Sequence, residues 1–311
     1  MNLGQVDSLR VSAIGLGTAS FAKHADDQAS AAAVRAALDC GITLFDTADS
    51  YGSGRCGRAE EILGTALRGH RDEVVLATKV GTEFAGQPAT ASGRWVRQAV
   101  VGSLRRLRTD YLDLYLLHVP DHAVPVHETL TAMSALRDNG LVRVIGCCNL
   151  SADQLVAAGI GQPGSFRCVQ DEYSVLRREA QTAVLPLCLA TGTAFVAYAP
   201  LHYGLLTGKY SAGIPAGSRL AKLGSAKAAG ILTPPAAELA ARFCQYSRAA
   251  GVPPEQLALA WLLSRPGVTS VIPGATSAWQ VRRNAAADDL VPLPAPVMDD
   301  IGAIIRPGQA P

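Results

Sequence analysis

Apolar and polar positions along the chain fall into two alternating textures. Short, almost wholly apolar runs recur eight times, at residues 12–19, 42–48, 73–80, 111–119, 142–149, 166–174, 193–200 and 268–274. Runs such as EVVLATKV and TAFVAYAP carry no polar alternation, the mark of strands buried on both faces. Between them lie longer Ala- and Leu-rich stretches at 28–41, 57–69, 92–108, 127–140, 151–159, 183–192 and 254–267, which predict helices. Several end on glycine, as helix C-termini do. Ser and Thr stand at expected N-caps, as in NLSADQL.

Strand–helix alternation repeated eight times leaves two architectures, an open doubly wound sheet or a closed barrel. The first run carries Gly15-Leu16-Gly17, but position 20 is Ser20. The G-x-G-x-x-G fingerprint of a dinucleotide-binding open sheet is therefore incomplete. The chain is expected to be an α/β protein, a (β/α)8 TIM barrel forming one domain over residues 1–311. The MNLGQVDSLRV prefix is expected to form an N-terminal β-hairpin plugging the barrel bottom. The Pro/Gly-rich stretches 211–235 and 287–297 read as loops within that domain.

Composition narrows the function classes. Hydrophobic residues make up 49% and charged residues 17%, enough to build a large core. The net charge of +2, with no basic run, argues against nucleic acid or an anionic membrane as partner. No uninterrupted apolar stretch is long enough to span a bilayer, and the N-terminus lacks the pattern of a secretion signal. Seven cysteines without a C-x-x-C pair disfavour a metal cage or a disulfide framework. Reduced thiols in a cytoplasmic protein, with no metal, are expected.

In a barrel, chemistry sits at the C-terminal ends of the strands. Successive strand ends deliver Asp46 and Tyr51, then Lys79, then His118. A phenol is a poor acid at neutral pH, and a nearby ammonium lowers its pKa. Lys79 is expected to do this for Tyr51, Asp46 to hold Lys79 charged and aimed, and His118 to orient a substrate oxygen. Singly, each has a plainer reading: a helix cap, a packed ring, a surface charge, a structural imidazole. Together they suit proton transfer to an oxygen that becomes negative as hydride reaches its carbon.

The motifs GITLFDTADSYG, VVLATKVG, DYLDLYLLH, IGCCNLS, VQDEYSVL, AYAPLHYGLLTGKY and SVIPGATS follow one another in this order, and with them the chain resembles the aldo-keto reductase superfamily from about Leu9 to Asn284. The resemblance implies a (β/α)8 barrel with an N-terminal hairpin and a nicotinamide dinucleotide bound without a Rossmann domain. It makes Asp46, Tyr51, Lys79 and His118 the catalytic tetrad. It gives Asn149 and Gln170 to the nicotinamide carboxamide, with Cys148 where a serine is frequent, and stacks Tyr198 on the nicotinamide. Gly17, Thr18, Ala199, Pro200, Leu201, Gly204 and Leu206 join the implied cofactor site.

The segment AYAPLHYGLLTGKYSAGIPAGSRL is similar to that of the potassium-channel beta subunits, which assigns Lys209 and Arg219 to cofactor phosphates. Gly274 and Gln280 stand where many members carry Lys and Arg. Thr276, Gln280 and Asn284 are implied at the adenosine end. Arg283 occupies a position often held by a glutamate and is a candidate for a 2′-phosphate. NADP(H) is preferred on this count, with NAD(H) possible. Phe21, His24, Phe84, Trp95, His202 and Tyr203 are candidates for the substrate pocket, beside Tyr51 and His118.

The expected activity is hydride transfer between the cofactor and an aldehyde, ketone or sugar lactol. The alternative is a cofactor-binding, redox-sensing regulatory subunit with little turnover. A small-molecule substrate is the expected partner; monomer and homo-oligomer stay open.

Overall fold

The computed structural model describes residues 1–52 and 54–305. Ten strands are present among them: β1 (Leu3–Val6), β2 (Leu9–Ser12), β3 (Leu16–Gly17), β4 (Leu44–Asp46), β5 (Val75–Val80), β6 (Leu112–Leu117), β7 (Val142–Cys148), β8 (Cys168–Glu172), β9 (Ala194–Tyr198) and β10 (Val268–Ile272). The helices are α1 (Asp27–Asp39), α2 (Arg58–Ala66), α3 (Gly93–Leu107), α4 (Val126–Asp138), α5 (Ala152–Ala157), α6 (Val184–Thr191), α7 (Arg219–Lys222), α8 (Ser225–Ile231), α9 (Pro234–Ala249), α10 (Pro254–Leu263), α11 (Ala278–Ala285) and α12 (Ala295–Ile304).

β3 to β10 form one parallel sheet in chain order. Its two edges meet through the Gly15 amide on the Val271 carbonyl (2.8 Å), the Val271 amide on the Ala13 carbonyl (2.9 Å) and the Gly17 amide on the Pro273 carbonyl (3.1 Å). The result is a (β/α)8 barrel. Close approach at the seam requires glycine: a Cβ on Gly15 would lie 2.7 Å from the Ile272 side chain.

Side chains alternate between two apolar cores. Leu114 and Leu116 of β6 point inward with Leu44, Val144, Val196 and Ile272, whereas Tyr115 and Leu117 face the helices. β1 and β2 form the antiparallel hairpin. Its Val6, Leu9 and Val11 complete the inner core, so the hairpin closes the barrel bottom. Each fully buried aliphatic side chain contributes about 1.5–3 kcal/mol of transfer free energy.

Local signals account for the helix ends. Ser151 accepts from the Gln154 amide while the Gln154 side chain accepts from the Ser151 amide, a complete capping box for α5. Gly192 ends α6 in the left-handed conformation. The two stretches expected as loops need correction. Residues 211–235 hold α7, α8 and the start of α9, and 287–297 hold a 3-10 turn (Ala286–Leu290) and the start of α12. Prolines there start helices instead of ending them. Pro234 and Pro235 open α9, which the Thr233 hydroxyl caps, and Pro296 stands in the first turn of α12.

One buried hydroxyl ties hairpin, seam and strand together. Ser12 Oγ donates to the Ile14 carbonyl (2.7 Å) and accepts from the amides of Thr43 (3.0 Å) and Leu44 (3.3 Å). Ser12→Ala leaves buried amides unpartnered and is expected to destabilise the fold by about 1–3 kcal/mol. Urea denaturation measures this; an unchanged midpoint would show the hydroxyl to be dispensable.

Candidate active site

The strand ends place a charged pair at the C-terminal mouth of the barrel. Lys79 Nζ, on β5, lies 2.6 Å from Asp46 Oδ2, on β4, and donates to the Thr47 carbonyl at 2.9 Å. Both side chains are buried; Lys79 is 1% exposed and Asp46 4%. The second carboxylate oxygen, Oδ1, accepts from Gln170 Nε2 of β8 at 2.8 Å. Burial works most strongly against the ammonium, but the Asp46 charge and hydrogen bond, with the neighbouring Tyr51 and Cys148, together outweigh it and raise the Lys79 pKa. A buried ion pair with its remaining lone pairs satisfied is the arrangement in which such charges persist.

Tyr51 stands over this pair. Lys79 Nζ is 5.2 Å from the Tyr51 ring centroid, and the Tyr51 and His118 rings meet edge to face at 5.7 Å. Here the structure modifies the expectation. Burial pushes the phenol pKa up, and the Lys79 charge and hydrogen bond, which pull it down, do not fully offset this. In the resting protein the phenol keeps its proton. His118 is driven down to about 3 by burial and by the Lys79 charge, so its imidazole is neutral.

A second network braces the neighbouring strand ends. Asn149, in the left-handed region at φ 62°, donates from Nδ2 to the His118 carbonyl (2.9 Å) and accepts at Oδ1 from the Tyr198 hydroxyl (2.8 Å). Ala199, His202 and Tyr203 also have positive φ, between 42° and 56°. Non-glycine residues held in that region cluster at functional sites.

All of this opens into one cavity of about 830 Å³. Its walls contain Asp46, Tyr51, His118, Cys148, Asn149, Gln170 and Tyr198, and also Gly17, Ala199, Pro200, Leu201, Gly204, Lys209, Arg219, Gly274, Thr276, Gln280, Arg283 and Asn284. His24, His202 and Tyr203 line it too. Burial pushes both His24 and His202 down to about 4, so both are neutral at pH 7. The Cys148 thiol is raised by burial and stays protonated.

Several expected residues lie elsewhere. Phe21 is fully buried in the outer core, and so is Leu206. Thr18 is buried, its hydroxyl donating to the Asp46 carbonyl at 3.0 Å. Phe84 and Trp95 pack against each other at 6.3 Å, with Arg106 over Phe84, outside the cavity. Conversely, Ser20, Val119, Thr207, residues 215–218, Glu255 and Trp279 line the cavity without having been singled out. The signal missed was helical: Glu255 is in the first turn of α10 and Trp279 in that of α11, and both helix starts face the cavity.

Fold and site define a class: a (β/α)8 barrel that gathers tyrosine, lysine, aspartate and histidine at one end of a long cavity. The chain belongs to the aldo/keto reductase family, whose family model matches residues 13–306. It is 35% identical to a probable voltage-gated potassium channel subunit beta of Oryza sativa subsp. japonica, over 98% of this chain and 96% of that one. It is 39% identical to the aldo-keto reductase YhdN of Bacillus subtilis, over 65% of this chain and 62% of that one. It is 32% identical to an NADH-specific methylglyoxal reductase of Escherichia coli, over 92% of each. Family and reductase relatives support an NAD(P)-dependent oxidoreductase. Among the described residues no helix is long and apolar enough to cross a membrane, and no cluster of His, Cys, Asp or Glu is suited to hold a metal ion.

Behind the Tyr51 loop, Asp49 is buried with neither carboxylate oxygen on a side-chain partner, near Glu60 and the unpartnered Tyr115 hydroxyl. Burial, then the Glu60 charge, raise its pKa from 3.8 to about 7, against the pull of Arg106. Between those values the unfolded chain is ionised while the folded chain holds the proton, so stability falls as pH rises and levels off above about 7. Asp49→Asn is therefore expected to raise the melting temperature at about pH 8 and to lose that advantage near pH 4. A melting difference independent of pH would contradict this.

Proposed function

We propose that the chain is an NADP(H)-preferring aldo-keto reductase acting on a small, uncharged carbonyl compound, with Tyr51 as proton donor. The observation that carries this reading is the shared ammonium: Lys79 serves Asp46, the Thr47 carbonyl and the Tyr51 phenol at the floor of the cavity.

The residues present fit a nicotinamide dinucleotide. Arg219 Nε is buried with no hydrogen-bond partner, although its guanidinium lines the cavity, stacked on Tyr203 at 4.6 Å. Lys209 lies over the Tyr210 ring at 5.1 Å, and Gly204, at φ +95°, leaves room for its amine. Neither cation forms an ion pair among the described residues. Two cations that face the cavity without an anionic partner of their own suit phosphate groups. Asn149 and Gln170 keep spare acceptor lone pairs on their side-chain carbonyls for an amide. Tyr198 supplies a flat face, and Thr276, Gln280 and Asn284 supply polar groups for an adenosine. NAD(H) is the second choice.

The bound cofactor supplies a hydride. Tyr51, protonated at rest, gives its proton to the substrate oxygen, and Lys79 stabilises the phenolate left behind. Asp46 keeps Lys79 charged. Neutral His118 hydrogen-bonds the same substrate oxygen and orients it. In the oxidative direction Tyr51 is the base. Neutral His24 and His202 at the wall favour an uncharged aldehyde, ketone or lactol over an acid.

A second reading, a cofactor-binding sensor with little turnover, is supported by likeness to the channel beta subunits. NADPH consumption with methylglyoxal and an aldehyde panel separates the two: tight dinucleotide binding without turnover favours the sensor.

Tyr51→Phe is expected to bind NADPH normally and to lose about 10²–10⁴-fold in turnover; near-normal turnover would remove Tyr51 from its role. Because His118 stays neutral down to about 3, no pH limb near its ordinary value of 6.5 is expected in kcat/KM for reduction. The profile should fall only under alkaline conditions, as Tyr51 loses its proton. A limb near 6.5 that disappears in His118→Asn would show the histidine to be the acid.

A further inference from the structure

Three cations line the cavity, and they are not equivalent. Lys209 and Arg219 face it with aromatic contacts and no ion pair among the described residues. Arg283 is paired: its Nε and Nη2 donate to a single oxygen, Glu255 Oε1, at 2.8 and 2.5 Å. The guanidinium also lies over the Trp279 ring, 5.3 Å from its centroid. Trp279 is 66% exposed and lines the same cavity.

The pair is built into the scaffold. Glu255 occupies the first turn of α10, after Pro253 and Pro254, where the helix N-terminus favours a carboxylate. Gln256, the next residue, donates to the Arg283 carbonyl at 3.1 Å and ties α10 to α11. Both Arg283 bonds fall on Oε1, leaving Oε2 as an acceptor.

We infer that Glu255 determines cofactor discrimination by holding the Arg283 guanidinium, narrowing the preference for NADP(H) over NAD(H) that Lys209 and Arg219 create. This rests on the dinucleotide reading above. A 2′-phosphate near α11 must compete with Glu255 for Arg283 and must also sit beside the Glu255 charge. An adenosine with a free 2′-hydroxyl meets neither cost and finds an acceptor in Glu255. Arg283 is thereby a phosphate ligand in reserve, and Glu255 a specificity-determining residue.

Calorimetric titration of the full chain with 2′,5′-ADP and with 5′-AMP tests this without turnover. In Glu255→Gln, affinity for 2′,5′-ADP relative to 5′-AMP is expected to rise roughly tenfold, the effect of about one released charge-assisted contact. Adding Arg283→Gln to that variant should cancel the gain. Arg283→Gln alone leaves the Glu255 carboxylate uncompensated beside the 2′-phosphate and should lower the ratio.

A ratio unmoved or lowered in Glu255→Gln overturns the inference. So does a raised ratio in Arg283→Gln alone, which does not depend on Glu255→Gln being well folded. Fluorescence titration with NADPH and NADH separates the two levels of failure. If both dinucleotides bind and the ratio does not respond, the discrimination role alone falls. If neither binds the wild-type chain, the dinucleotide reading falls and takes this inference with it.

Discussion

Everything at the mouth of this barrel is arranged around one buried ion pair, Asp46 with Lys79. Two opposite charges out of contact with water are costly unless each is held by further hydrogen bonds. Here the Thr47 carbonyl takes a second bond from the ammonium and Gln170 donates to the free carboxylate oxygen. Removing either partner strands the other, at about 3–5 kcal/mol. The pair therefore fixes where a positive charge can sit, and hence where a phenol near it can be polarised. The 3.3 Å bond from the Asp49 amide to the Lys79 carbonyl and the 2.9 Å bond from the Thr47 amide to the Ala77 carbonyl keep both strand ends in register.

The barrel makes this possible because adjacent parallel strands end side by side. β4 and β5 present Asp46 and Lys79 on the inner face, and β8 presents Gln170 from across the barrel. The hairpin fills the opposite end with Val6, Leu9 and Val11. The outer wall comes from the segment between β9 and α9, whose Leu205, Tyr210, Leu220 and Ala228 pack with Ala240 of α9 into a small apolar core. That core is what lets a stretch rich in Gly, Pro and Ser hold Lys209 and Arg219 in place.

Much of this was legible in the sequence. Fully apolar strands can be read only as doubly covered, and eight of them in alternation with helices leave few architectures. Asp46, Tyr51, Lys79 and His118 were legible because strand ends are predictable from the runs themselves. What was not legible depends on which face of an element looks inward. Phe21, Thr18 and Leu206 are adjacent to cavity residues in sequence but turn toward the packed interior. Phe84 and Trp95 found each other instead of the pocket. Residues 219–231 have few large apolar residues, so their helices depend on tertiary packing and leave little trace in periodicity. The direction of the Tyr51 shift was hidden for another reason. A sequence names the neighbouring charge but not the depth of burial that opposes it.

The central claim is that Lys79 offsets the cost of ionising a buried phenol. NMR titration of the chain labelled with ¹³C at the tyrosine ζ carbons, with the Tyr51 resonance assigned by its loss in Tyr51→Phe, measures that pKa directly. Comparison with Lys79→Met should show Tyr51 ionising at higher pH once the ammonium is gone. A Tyr51 titration that stays in place or moves lower without Lys79 would contradict the account.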